Sequence, residues 1–166
     1  MILSFMNDLG VVDVRLLKAA NIDGLGNTSN RNILRVLHRL EEEKLVKAMR
    51  KEIKIFTTSD GTFHHWEHHL LRNRFIVDKG IWKQVIIEPK VTVKGETFIP
   101  DFVLPLVPHP HRAEDYIYFE VDRLQKKRTN HEKIARYKRL GLKVEIVCRP
   151  ERVYIWKGSV YHTVTL

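Results

Sequence analysis

The spacing of apolar residues divides the chain into a helical opening, a short alternating stretch and a longer remainder richer in strands. Met1 to Leu9 is apolar at helical spacing and stops at Gly10. Val14, Leu17 and Ala20 recur three apart and predict a second helix over 13–20. Beyond Gly24 and Gly26, Thr28 and Ser29 are N-cap candidates for a longer helix over 30–44, with Ile33, Leu34, Leu37 and Leu40 as its apolar stripe. Residues 45–49 and 52–56 then alternate, which predicts two strands joined at Arg50-Lys51. Asp60-Gly61 is a turn signal and the expected boundary between a unit of residues 1–59 and one of residues 60–166.

In the second unit the pattern predicts a helix over 62–75 and strands over 82–87, 97–106 and 116–122. Pro108 and Pro110 make the segment between the last two strands an irregular, exposed loop. A basic helix follows over 129–140, stopped by Gly141, and then an apolar strand over 143–148. Residues 153–156 and 160–164, around Lys157-Gly158-Ser159, predict a closing hairpin. The fold class that follows is α+β in two units.

Charge changes the picture more than composition does. The 166 residues are 43% hydrophobic, enough for a core, yet the formal net charge is +9. Residues 1–60 carry about +2 of it, and the remainder +7. Such a balance points to a polyanionic partner, nucleic acid first and an anionic membrane surface second. No apolar run approaches the roughly 18–20 residues of a membrane span. A single cysteine, Cys148, excludes an intramolecular disulfide and favours a reduced, cytoplasmic setting.

Two acids stand out against this background. Side chains alternate along a strand, so Tyr118, Glu120 and Asp122 share one face and Ile117, Phe119 and Val121 the other. Asp101, after Pro100, stands at the edge of the neighbouring apolar strand. Ionised carboxylates in such places must be paired, solvated or bound to a cation, and a hard divalent cation suits oxygen ligands. The competing account makes Asp101 a turn aspartate and pairs Glu120 and Asp122 with nearby basic groups. Glu67 falls within the apolar arc of its helix, with Phe63 and Leu71 four residues to either side. It is either a third acid of the site or a partner of Arg74. His65, His68, His69 and Arg72 lie on the opposite side, and the run His64-His65-Trp66-Glu67-His68-His69 reads as solvated surface rather than a zinc site. Lys133 lies on the buried arc of the basic helix with Ile134, Tyr137 and Leu140, either serving the site or snorkelling over the sheet.

Pro100-Asp101 followed by Glu120-Val121-Asp122 resembles the PD-(D/E)XK nuclease superfamily, with Asp122 where its lysine stands. The order of three helices and a basic hairpin in residues 1–59 is similar to a winged helix-turn-helix, and Val36-Leu-His-Arg-Leu-Glu-Glu-Glu-Lys-Leu-Val matches the end of its third helix, Lys44 standing where a glycine often sits. Over most of its length the chain resembles the replication-relaxation family of plasmids and mobile elements, which carries a Pro-Asp strand and then E-[IV]-D-R. Here those are Pro100-Asp101 and Glu120-Val121-Asp122-Arg123, with Leu124-Gln125 in place of the usual Gly-Thr.

These resemblances imply a winged helix-turn-helix joined to a restriction-endonuclease-like α/β domain, acting on plasmid or phage DNA. They imply a catalytic set of Asp101, Glu120, Asp122 and Lys133, with Mg²⁺ or Mn²⁺ held by Glu67, Asp101 and Glu120. Double-stranded DNA would meet Arg31, Asn32, Arg35 and Arg39 of the third helix, Arg50 and Lys51 of the wing, and Lys126, Lys127 and Arg128. A homodimer is a further expected assembly, and a membrane is not an expected partner. The alternative function is a non-catalytic replication or transcription regulator that keeps the nuclease fold for DNA or protein binding.

Overall fold

The computed structural model describes residues 1–50, 53–122, 127–156 and 158–166, without the side chains of residues 23, 50 and 127–130. The expected sites Lys51 and Lys126, and the side chains of Arg50, Lys127 and Arg128, therefore lie outside the described residues. No helix among the described residues is long and apolar enough to cross a membrane.

The chain is α+β and divides into two compact units, Met1–Gly80 and Ile81–Leu166. In the first, α1 (Ile2–Leu9) buries Phe5, Met6 and Leu9 and ends at Gly10, whose φ of 80° is open to glycine at little cost. A short strand β1 (Val12–Asp13) leads into α2 (Val14–Ala19), and Asp13 caps it by accepting from the Leu16 amide at 2.7 Å. A 3-10 helix spans Ile22–Asn27, and α3 (Asn30–Glu42) starts at the N-cap Ser29. Ile33 and Leu37 of its apolar stripe are buried, whereas Leu34 and Leu40 are half-buried. Strands β2 (Val46–Arg50) and β3 (Lys54–Thr58) pair antiparallel, and β1 joins the other edge of β3, giving the order β1-β3-β2. Lys44 takes the left-handed conformation, φ 58°, between α3 and β2.

The helix after the hairpin, α4 (Trp66–Asp78), belongs to the first unit, so the boundary lies at 80/81 rather than at 59/60. Its sequence holds the reason. Arg72 and Asn73, 2% and 0% exposed, are polar residues turned inward. Asn73 Nδ2 donates to the carbonyls of Leu9 and Val11 at 2.8 and 2.7 Å, and Arg72 also donates to Leu9 O. These bonds satisfy backbone left open where α1 ends. Arg74 reaches Asp13 at 2.6 Å, tying α4 to the cap of α2. Arg72, expected on the solvent side of this helix, is instead one of its most buried residues.

The second unit is built on five strands ordered β10-β9-β8-β7-β4. β4 (Ile86–Ile87), β7 (Phe102–Pro105) and β8 (Tyr116–Asp122) are antiparallel neighbours. From β8 the chain crosses through α5 (Lys127–Leu140) to β9 (Lys143–Cys148), which runs parallel to β8, as a helical crossover allows. The apolar face of α5, Ile134, Tyr137 and Leu140, packs into clusters with Tyr118, Val103 and Phe98, and with Ile146 and Cys148.

Three expectations fail here. The strand predicted over 82–87 is only Ile86–Ile87. The one predicted over 97–106 is split: β6 (Glu96–Phe98) pairs with β5 (Val91–Val93) in a separate hairpin, and only β7 enters the main sheet. Lys94 and Gly95, with φ of 49° and 81°, form its two-residue turn. The closing hairpin is absent: Pro150–Trp156 is a 3-10 helix that buries Ile155 and Trp156, and β10 (Tyr161–Thr163) pairs parallel with β9.

Candidate active site: an acid pair capped by a helix lysine

The register of β7 on β8 sets Phe102 opposite Phe119, which brings Asp101 alongside Glu120. Asp101 straddles that position. Its amide donates to Phe119 O at 3.1 Å, and its Oδ2 accepts from the Val121 amide at 2.6 Å. Phe102 and Phe119 stack with centroids 4.4 Å apart, which holds the register on the opposite face of the strands.

Glu120 is 6% exposed and faces α5. Lys133 Nζ lies 2.6 Å from its Oε2, and the Tyr137 hydroxyl donates to its Oε1 at 2.6 Å. Lys133 and Tyr137 are four apart on one helix face, so a single turn of α5 closes over both oxygens. Burial pushes the Glu120 carboxyl above its ordinary range, the negative charge of Asp101 adds to this, and Lys133 and Tyr137 offset part of it. Burial alone would lower the Lys133 ammonium, but Glu120 and Asp101 outweigh it and hold its pKa up. Burial and Glu120 likewise raise the Tyr137 phenol, so at neutral pH it is a donor.

Asp122 does not join this cluster. It is 2% exposed and makes a bidentate pair with Arg152, Nε to Oδ2 at 2.8 Å and Nη2 to Oδ1 at 2.9 Å. Trp156 Nε1 donates to the same Oδ2 at 2.8 Å. The Arg152 pKa is raised, first by its hydrogen bond to Asp122. Burial, with Asp122 adding to it, lifts the nearby Cys148 thiol to about 11, so the sulfur stays a protonated part of the core. Sequence reasoning missed Arg152 and Trp156. Their segment alternates in a way that strand and 3-10 helix share, and only the pairing with a buried acid distinguishes them.

Glu67 sits half-buried in the first turn of α4, in the first unit, whereas Asp101 and Glu120 belong to the second. Among the described residues, no group of three or more His, Cys, Asp and Glu side chains comes together to hold a metal. The pair Asp101 and Glu120 remains. Glu120 Oε1 and Oε2 are engaged by Tyr137 and Lys133, and Asp101 Oδ2 by the Val121 amide.

In the first unit Arg31, Asn32, Arg35 and Arg39 all lie on the exposed side of α3. Arg39 pairs with Glu43 at 3.0 Å, both partners being well exposed. Lys54 of β3 reaches His38 and Glu41 at 3.3 and 3.6 Å. Arg31 and Arg35 are exposed cations of α3. No family model matches the chain, and no curated protein matches it.

Proposed function

We propose that the chain is a DNA-binding protein of plasmid, phage or mobile-element maintenance, and that its second unit is a nuclease-like domain that cleaves phosphodiesters with Mg²⁺ or Mn²⁺. The observation that carries the chemical part is the lysine on the acid pair, Lys133 Nζ at 2.6 Å from Glu120 Oε2, with Asp101 beside it. The antiparallel β4-β7-β8 meander followed by a helical crossover to a parallel β9 supports a PD-(D/E)XK-like core. Three helices followed by the β2-β3 hairpin, with β1 on the other edge of β3 and basic side chains exposed on α3, support a winged helix.

In this reading Asp101 and Glu120 would hold the cation, which would supply an acidified water and neutralise charge on the phosphate. Lys133 takes the role of the lysine absent at position 122. Its ammonium, kept protonated by the acids, would stabilise the charge that develops on the phosphoryl oxygens. Tyr137 holds the second oxygen of Glu120 in place.

The test is nicking of supercoiled plasmid by chelator-stripped protein on addition of Mg²⁺ or Mn²⁺. Wild type should nick, and Asp101→Asn and Lys133→Ala should not. Asp101→Asn should also abolish any rise in melting temperature with the metal, while Lys133→Ala keeps it. Intact plasmid with wild type at either metal overturns the catalytic reading. One observation favours the second reading, a non-catalytic DNA-binding regulator: Lys133 and Tyr137 already occupy both oxygens of Glu120, as in a closed structural cluster. Salt-sensitive DNA binding that weakens in Arg31→Gln/Arg35→Gln, without cleavage, would establish it.

A further inference from the structure

A cleft of about 300 Å³ opens in the second unit, between β4 and β5, the start of β8 and the loop that carries His111 and Arg112. Asp101, Glu120 and Lys133 do not line it, although Tyr118 of its lining stands two residues from Glu120 and its ring lies 5.5 Å from that of Tyr137. Tyr116 opens β8 and Glu120 stands four residues further along, roughly 13 Å away at the rise of a strand.

Two features of its lining are opposed in character. At the rim stand Lys90, His111 and Arg112, and no carboxylate is among the described residues that line it. The Arg112 side chain is 77% exposed and makes a long contact, 3.4 Å, to Asp115. Asp115 is itself turned into its own loop: its Oδ2 accepts from the amides of His111 and Arg112 at 3.0 and 2.9 Å. Those bonds keep its carboxyl below the usual range and fix the backbone that presents His111 and Arg112. The rest of the lining includes Ile86, Val91 and Val103 and the aromatic rings of Tyr116 and Tyr118, whose centroids are 6.5 Å apart. At the floor the Tyr118 hydroxyl donates to Ala113 O, and burial holds its pKa up to about 12, so the floor is uncharged at neutral pH. A cationic rim over an aromatic and apolar interior selects a ligand that is anionic at one end and flat at the other.

We propose that this cleft binds one nucleotide, its base against Tyr116 and its phosphate at Lys90 and Arg112. The nucleotide is either free or an unpaired residue of a single strand. Asp101, Glu120 and Lys133 are not in its lining, and binding measured without metal is read apart from the catalytic reading.

The experiment uses the full chain in chelator, which silences metal-dependent chemistry. Binding of a labelled ten-residue oligo(dT) is followed by fluorescence anisotropy, with dAMP, TMP and inorganic phosphate as competitors. Wild type should bind the oligonucleotide, and both nucleotides should displace it well below the concentration at which phosphate does. Lys90→Gln/Arg112→Gln, a change of exposed side chains that keeps the fold, should weaken binding at least roughly fivefold, and Tyr116→Ala should do the same by removing the stacking face. Nucleotides that bind as tightly as the oligonucleotide identify the ligand as a free nucleotide; an oligonucleotide that binds far tighter identifies it as part of a strand. Displacement by phosphate at the same concentration as dAMP overturns the proposal, because the base is then not recognised. Wild-type affinity in the Lys90/Arg112 variant overturns it as well. Plasmid nicking, measured separately with Mg²⁺, is expected to persist in that variant if the catalytic reading holds.

Discussion

Replacing Lys133 by methionine keeps the buried stem and removes the ammonium. Glu120 stays 6% exposed, with Oε1 on Tyr137 but Oε2 deprived of its cation, and Asp101 still acts on it. Breaking a fully buried ion pair costs about 3–5 kcal/mol. The Lys133 side chain is 34% exposed, so solvent already screens part of the pair, and about 2 kcal/mol is the expected loss at pH 8. The loss has a ceiling, because the carboxyl can take up a proton. Its folded-state pKa is already raised in the wild type, and losing Lys133 raises it further. An acid raised on folding favours the folded state when protonated, and that contribution disappears as pH rises through the folded pKa. The gap between wild type and Lys133→Met should therefore narrow as pH falls from 8 to 5. Thermal melting followed by circular dichroism reads it directly, with a gap of roughly 4–8 °C at pH 8 for a chain of this size. At pH 5 the gap should be well below that. An equal gap at both values, or none at pH 8, would refute the view that Glu120 is a desolvated carboxylate held by Lys133.

Three further outcomes test the fold around the site. Lys44→Gly should stabilise the chain by about 1 kcal/mol, because φ there is 58° and glycine carries no Cβ penalty; a lower urea midpoint would contradict this. Asn73→Ala should cost about 2–3 kcal/mol, since it removes buried donors from Leu9 O and Val11 O, and a loss under about 0.5 kcal/mol would mean those carbonyls find other partners. Arg152→Met should cost about 3 kcal/mol by stranding the buried Asp122, and Arg152→Met combined with Asp122→Asn should cost less than the two single changes together. Strict additivity in that cycle would show that the two residues do not act as a pair.

The parts of the fold that local periodicity dictates were legible in the sequence. Strand β8 runs over the predicted residues, because alternation there separates Phe119 and Val121 from Tyr118, Glu120 and Asp122 without ambiguity. Ser29 caps α3 because it immediately precedes the apolar stripe. Tertiary partners decided the rest. Arg72 and Asn73 look like solvent-facing residues until the open carbonyls of Leu9 and Val11 are brought to them. Val91-Thr-Val and Glu96-Thr-Phe pair through a Lys94-Gly95 turn that lay outside the expected strands, and Thr97-Phe98 was expected to run on into the main-sheet strand. In the site, Lys133 on the buried arc of its helix was visible, and so were Asp101 and Glu120. Arg152 was not, because it lies thirty residues from Asp122 in a segment whose period fits two conformations.

Asp122 and Lys133 together bear on what an acid in a lysine's place means. Position 122 is on the same strand face as Glu120 but one repeat further along, roughly 6.6 Å on. There the neighbours are Arg152 and Trp156 of the 3-10 helix, not Tyr137 and Lys133 of α5. A lysine at 122 would face Arg152 and leave the Trp156 N–H without its acceptor, so the carboxylate there is required by what it anchors. Its charge is matched by a bidentate guanidinium and adds little net negative field at Glu120. The positive charge that the acid pair needs comes instead from one helical turn away. An acid two residues after Glu120 is therefore no sign that the cluster has lost its cation. Whether this chain cleaves DNA rests on whether a divalent ion can share Glu120 with Lys133, a competition that the nicking assay and the Lys133→Met melting gap in Mg²⁺ measure from opposite sides.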